Sequence, residues 1–199
     1  MIIIFLGGVG SGKTLSAVRE IRRRNQFALT NFKLKNIKEY HRLKYENIII
    51  PAEKKSDYSV NWKFWEKVRK SHKYFSIYLD EIHNIMDARA STSVDNRILS
   101  RWLSQIRKMT SDNEYNNLVA ISQKIRRIDV NLRELAHLFV ECRKIEIGDK
   151  VYIWQDYFDG IDNYEKDRHA AQIYFKAEPY YKYFDTKEMV QFGDVEEYL

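Results

Sequence analysis

An apolar run, Ile2-Ile3-Ile4-Phe5-Leu6, passes directly into Gly7-Gly8-Val9-Gly10-Ser11-Gly12-Lys13-Thr14, and residues 15–24 then read as a helix. Strand, glycine-rich loop and helix in this order leave few folds open. Between Gly7 and Gly12 the backbone must curl with successive N–H groups turned inward, a path that larger side chains would obstruct. Such a ring of N–H groups suits an anion, and the positive N-terminal end of the following helix faces the same anion. The run fits the pattern G-x-x-x-x-G-K-[ST] at every required position. In that pattern the ammonium of Lys13 lies against the β- and γ-phosphates of a nucleotide and the hydroxyl of Thr14 is offered to Mg²⁺. Gly7, Gly8, Val9, Gly10, Ser11, Gly12, Lys13, Thr14 and Leu15 are therefore the expected nucleotide contacts.

A second acidic element supports the first. Ser76-Ile77-Tyr78-Leu79 reads as a strand that ends in Asp80-Glu81. A strand closing on an acidic pair suits a site where Asp80 holds Mg²⁺ through water and Glu81 polarises the water that attacks the γ-phosphate. Leu118-Val119-Ala120-Ile121-Ser122 is a further core strand, and it ends in Gln123. In a parallel sheet these three strand ends lie at one edge, so Gln123 can reach the γ-phosphate or the attacking water. Taken alone, Gln123 reads more simply as a solvent-facing strand end.

The remaining chain supplies the frame. Residues 27–30 form a second short strand ending in Asn31, residues 48–50 a third closed by Pro51, and residues 52–60 a polar surface loop. Asn61 caps a helix that runs to about residue 70, with Trp62, Trp65 and Val68 on one face. Asp95 caps another over residues 96–109, whose stripe of Ile98, Leu99, Trp102, Leu103, Ile106 and Met109 is core. Residues 135–147 and 150–157 flank Gly148-Asp149 as a hairpin. The expected fold class is thus α/β, with a mainly parallel central sheet flanked by helices, a C-terminal β-hairpin and an extension. Residues 1–157 are the expected P-loop core, and residues 158–199 an extension packed on it.

With 199 residues there is room for one such domain and not for two ordinary ones. Thirty-four Lys and Arg against 28 Asp and Glu give a net charge of +6, which suits a polyanionic partner and equally a soluble surface with a slight basic excess. The single cysteine, Cys142, excludes an intrachain disulfide and sits in an apolar run, as a buried, inert thiol would. No apolar run approaches the roughly 18 residues of a membrane span.

Taken together, residues 7–14, Leu79-Asp80-Glu81-Ile82-His83, Arg107-Lys108 and Ile121-Ser122-Gln123 resemble the FtsK/HerA superfamily of DNA-pumping P-loop ATPases. The nearest resemblance is to the small viral members, the genome-packaging ATPases and the zonula-occludens-toxin-like assembly proteins of filamentous phages. Thr30-Asn31, Asp87-Ala88-Arg89 and Tyr183-Phe184-Asp185-Thr186 also look like segments of those proteins. The resemblance implies a RecA-like core that binds ATP and Mg²⁺ at the interfaces of a homo-oligomeric ring of six, with double-stranded DNA in the channel. ATP rather than GTP rests on this resemblance and on the lack of a guanine-reading Asn-Lys-x-Asp run.

In such a ring an arginine from a neighbouring subunit completes the site. Arg107 is the first candidate and Arg127 and Arg101 the runners-up, although a plain surface role is open to each. DNA-facing cations are expected on loops, at Lys33, Lys35, Lys54, Lys55, Arg126 and Arg127. Arg22-Arg23-Arg24 needs no such role, since cations at a helix C-terminus favour its dipole.

Two functional readings lead. One is an ATP-driven duplex-DNA translocase, a viral genome-packaging motor in the host cytoplasm or on the virion, partnered by a capsid protein. The other is a filamentous-phage-type assembly or secretion ATPase, which depends on a membrane partner. The latter is expected to carry a membrane-spanning segment behind its nucleotide domain, and its absence from these 199 residues favours the packaging motor. A nucleotide-switched binding protein would not need Glu81. A metabolic kinase would need an acceptor site and a lid, and the sequence offers neither.

Overall fold

The computed structural model describes residues 1–51, 58–84, 94–111 and 115–185; in the helix over 94–111 the side chains described are those of 97–106 and 108–110. The chain opens with β1 (Ile2–Leu6), α1 (Lys13–Arg24) and β2 (Phe27–Thr30), followed by β3 (Tyr40–Arg42), α2 (Tyr45–Ile48), β4 (Ile49–Pro51) and β5 (Tyr58–Val60). Next come α3 (Trp62–Ser71), β6 (Phe75–Leu79), α4 (Val94–Ser111), β7 (Asn117–Ile121) and α5 (Val130–Leu135). The last elements are β8 (Leu138–Ile147), β9 (Lys150–Asp159), α6 (Gly160–Glu165) and β10 (Ala171–Lys176), then a 3₁₀ segment over Glu178–Tyr183.

Eight strands form one sheet in the order β10-β9-β8-β1-β7-β6-β2-β3. From β8 to β3 every pairing is parallel, whereas β9 runs antiparallel to both β8 and β10. The unbroken apolar strands lie at the centre: every residue of β1, β6 and β7 is buried, as a parallel sheet covered on both faces requires. Alternation divides their side chains between two cores. Ile2, Ile4, Leu6, Ile77 and Leu79 meet Trp65, Trp102 and Leu103 of α3 and α4 on one face. On the other, Ile3, Phe5, Tyr78 and Val119 meet Ala17, Val18 and Ile21 of α1.

Local signals act as the sequence suggests at α3, where the Asn61 side chain accepts from the Phe64 amide at 3.2 Å. α4 begins at Val94, so Asp95 lies within the first turn rather than ahead of it. The expected stripe of α4 is core, with Ile98, Leu99, Trp102, Leu103 and Ile106 all buried.

Several elements were not foreseen. β3 and α5 are three and six residues long, too short for a periodicity to register. The boundary expected after residue 157 falls inside β9, and β10, from the expected extension, joins the same sheet. Residues 178–185 then cross back to the start of the chain, where the Lys35 amide donates to the Tyr183 carbonyl at 2.7 Å and Leu34 forms a bridge with Phe184.

Candidate nucleotide site

The loop between β1 and α1 is held open for an anion by backbone conformations that only glycine takes readily. Gly7 lies at φ 142° and Gly12 at φ 91°. Neither position has room for a side chain. A Cβ on Gly7 would sit 2.4 Å from the Cys142 carbonyl oxygen, and one on Gly12 would sit 2.3 Å from Ile153 Cδ1. β8 and β9 therefore back the loop, a contact nothing in the motif announces. Lys13 Nζ donates to the Gly7 and Gly8 carbonyls at 2.9 and 2.8 Å, so its ammonium lies over the loop. Ser11 Oγ is buried without a hydrogen-bond partner, a polar atom that a phosphate oxygen would satisfy.

Opposite the loop, Thr14 Oγ1 donates to Asp80 Oδ2 at 2.6 Å. The hydroxyl and carboxylate expected to share Mg²⁺ are thus in contact, across 66 residues of sequence. Asp80 is 5% exposed. Burial pushes its carboxyl up from the ordinary range, against the opposing pull of the Thr14 hydrogen bond and the Glu81 amide. A cation at this position would relieve that cost. Asp80 is also fixed through its backbone, since Asn31 Nδ2 donates to the Asp80 carbonyl at 2.8 Å and Asn31 Oδ1 accepts from the Asp80 amide at 2.7 Å. Asn31 is 2% exposed, and this reciprocal clasp joins the end of β2 to the end of β6.

Glu81 leaves the strand in the left-handed region, at φ 48°. A non-glycine residue held there is costly and marks a constrained position. Its amide donates to Asp80 Oδ1 at 2.8 Å. Gln123 Nε2, from the end of β7, donates to Glu81 Oε1 at 3.2 Å. On the other side His83 Nδ1 lies 3.2 Å from Glu81 Oε2 and 3.3 Å from Ser122 Oγ. One carboxylate is therefore flanked on both oxygens, and Gln123 faces it rather than open solvent.

The zonular occludens toxin (Zot) family matches residues 1–184. The chain belongs to the Zot family. Among solved structures, the N-terminal domain of zonular occludens toxin from Neisseria meningitidis is similar with a TM-score of 0.60 and 19% identity, covering 92% of this chain and 98% of that one. The genome packaging NTPase of Sulfolobus turreted icosahedral virus 2, in complex with ATP-gammaS, has a TM-score of 0.47 and 12% identity, covering 73% of this chain and 75% of that one. No curated protein matches the sequence. The α/β P-loop fold stands on the family match, on the Neisseria meningitidis domain, and on the sheet with its phosphate loop.

In this Zot-family chain the other expected residues are spread more widely. Arg101 is exposed on α4, while the Arg107 side chain, on the same helix, lies outside the described residues, as do Lys54, Lys55 and residues 87–89. Arg126 and Arg127 are exposed in the 3₁₀ turn Ile125–Arg127, directly after Gln123. Lys33 is exposed in the loop after β2. Lys35 is exposed too, but its ammonium pairs with Asp185 at 3.0 Å and ties residues 178–185 to the loop after β2. Cys142 is buried and its thiol is pushed up to about 11, as expected of an inert core cysteine.

The sequence gives Asn31 and His83 no role. Asn31 stands in the sequence as a polar strand end within the resembling pair Thr30-Asn31, and His83 as the last residue of the resembling run Leu79 to His83, neither with a chemical task. The Asn31–Asp80 clasp and the His83–Ser122 contact depend on strand order, which no local pattern contains. A cavity of about 290 Å³ also opens beside the phosphate loop, between Thr14 and Leu15 on one side and Lys144, Val151, Ile153, Tyr181 and Phe184 on the other. Among the described residues, no helix is long and apolar enough to cross a membrane.

Proposed function

We propose that the chain is an ATPase that drives the movement of DNA during virus assembly. The observation that carries this reading is the meeting of Thr14 with Asp80, and of Glu81 with Gln123, at the ends of three adjacent strands beside the phosphate loop. In this account Lys13 leaves the Gly7 and Gly8 carbonyls for the phosphates, and the loop amides hold the same oxygens. Mg²⁺ held by Thr14 and, through water, by Asp80 would neutralise charge on the phosphates. Glu81 accepts a proton from the attacking water while Gln123, donating to Oε1, keeps its carboxylate aimed and Oε2, which has no hydrogen-bond partner, is left for that proton. The Asn31 clasp fixes the Asp80 backbone, and with it the point from which Glu81 leaves the strand.

The Zot-family match favours the filamentous-phage-type assembly ATPase over the genome-packaging motor that the sequence placed first. The exposed cations Lys33, Arg126 and Arg127 suit contact with nucleic-acid phosphates in either role. A homo-oligomeric ring, probed by a trans-acting arginine, belongs to both readings. Arg107→Ala subunits titrated into wild type should then depress activity more steeply than dilution, and a linear fall would remove the trans role.

Steady-state ATP hydrolysis with duplex DNA, with single-stranded DNA and with neither, at low and moderate salt, separates the alternatives. Stimulation by duplex that fades with salt supports the packaging motor. Hydrolysis indifferent to duplex supports the assembly reading, with a protein or membrane partner as activator. No hydrolysis under any condition, with nucleotide still bound, would favour a nucleotide-switched binding protein.

A further inference from the structure

We infer that residues 178–185 form a strap that seats the nucleotide's base, with Tyr181 and Phe184 as its aromatic wall and Val151 and Ile153 as its floor. The inference rests on the nucleotide reading of the phosphate loop. It adds the part of the ligand that the loop motif leaves unassigned.

Position is the first argument. The cavity of about 290 Å³ begins at Gly10, Gly12 and Thr14, so a ligand anchored there by its phosphates extends its sugar and base along the cavity. Chemistry is the second. At the phosphate loop the lining is backbone amide, hydroxyl and ammonium with Ile153 packed on Gly12, whereas the opposite side carries Val151, Tyr181 and Phe184 together with Lys144, whose ammonium pairs with Glu146. A site that turns from anion-binding to flat and apolar within one cavity fits a molecule with the same division, and a nucleoside triphosphate has it. Tyr181 is 43% exposed and lines this cavity, so its ring is open to a flat ligand.

Preorganisation is the third argument. The strap is fixed to β9 by the Val151 amide, which donates to Glu178 Oε1 at 2.9 Å, and by the Ala177 amide, which donates to the Val151 carbonyl at 2.9 Å. Its far end is fixed to the loop after β2. The Lys35 amide donates to the Tyr183 carbonyl, Asn36 Nδ2 donates to the Lys182 carbonyl at 3.0 Å, and Lys35 Nζ pairs with Asp185. Beneath it Phe184 and Tyr180 pack on Leu15, Ile153, Phe175 and Ala177. A wall held in this way loses little freedom when a ring stacks against it. The same loop begins at Asn31, whose amide group clasps Asp80. Five residues of backbone therefore join the base seat to the carboxylate assigned to Mg²⁺.

Calorimetric titration of the full chain with Mg·ATP and, separately, with Mg·tripolyphosphate tests the inference, since the second ligand has the phosphates and no base. Wild type should bind ATP more tightly than tripolyphosphate. Tyr181→Ala should weaken ATP by about tenfold, in line with the loss of one base-stacking partner, and leave tripolyphosphate within about twofold. Tyr181→Phe should retain ATP affinity. Val151→Phe, which narrows the cavity from a partly exposed strand position, should lower the same ratio without touching Tyr181. Equal wild-type affinity for both ligands, or equal weakening of both by Tyr181→Ala, would overturn the base seat while leaving the phosphate reading in place. Failure of wild type to bind either ligand would overturn both.

Discussion

The sheet has two unlike parts. From β8 to β3 the strands are parallel, covered by helices, and bear Lys13, Asp80, Glu81 and Gln123 at one end. The antiparallel wing of β9 and β10 has one face open, where Tyr174 is 63% exposed and stacks on Trp154 at 5.7 Å. The parallel part has the chemistry that any P-loop NTPase shares, set by strand ends that cannot move independently. Away from Ile153, which backs Gly12 of the phosphate loop, the wing and the strap behind it can vary without disturbing that chemistry. A protein built this way can keep one reaction while changing what it recognises.

The sharpest way to break the comparison is to remove a cation from each part. Lys13→Ala should lower ATP turnover by roughly 10²–10³-fold, the usual cost of losing one group that stabilises developing charge. Lys176→Ala, exposed on β10, should stay within about twofold. Comparable losses in the two variants, measured by phosphate release, would mean that the site is not confined to the parallel part.

Stability should divide along the same line. Leu79 is 0% exposed in the core that β6 shares with α3 and α4, and Leu79→Ala should cost about 2–5 kcal/mol. Tyr174→Ala on the wing should cost about 1 kcal/mol, since what is lost is its exposed ring contact with Trp154 and Tyr152. Urea denaturation of the two variants measures both, and a larger loss from Tyr174→Ala would reverse the assignment of core and wing.

The same division governs how far the site was legible beforehand. Residues 7–14 and Asp80-Glu81 announced themselves because each is a short pattern directly behind an apolar strand, and Gln123 followed once three strand ends were set side by side. Asn31 has no assigned role in the sequence because its partner ends another strand, and a clasp spanning 49 residues leaves no local trace; His83 sits two residues from Glu81, but its second neighbour, Ser122, also ends another strand. The backing of Gly7 by Cys142 and of Gly12 by Ile153 was hidden for the same reason. β10 was passed over because its burial is weak and its pairing with β9 is antiparallel across a helix, so neither alternation nor a tight turn marks it.

A smaller effect sharpens the comparison at β8, the strand that joins the two parts. Burial raises the Cys142 thiol to about 11, above the roughly 8.5 of an unfolded cysteine. The folded chain therefore holds a proton that the unfolded chain gives up. The contribution to stability is complete below about pH 8.5 and is lost as the pH rises toward 11. Alkylation with iodoacetamide at pH 8 should be negligible in the native protein and rapid in urea. Rapid native labelling would show that the strand behind the phosphate loop opens readily.

Glu81, which accepts from Gln123 and lies beside His83, is proposed as the base of an ATP-hydrolysing site. The most direct test is Mg·ATP binding and single-turnover hydrolysis by Glu81→Gln beside wild type. The account predicts ATP bound with near wild-type affinity and hydrolysed at least about 10²-fold more slowly. Hydrolysis at the wild-type rate, or loss of ATP binding with the fold intact, would contradict it.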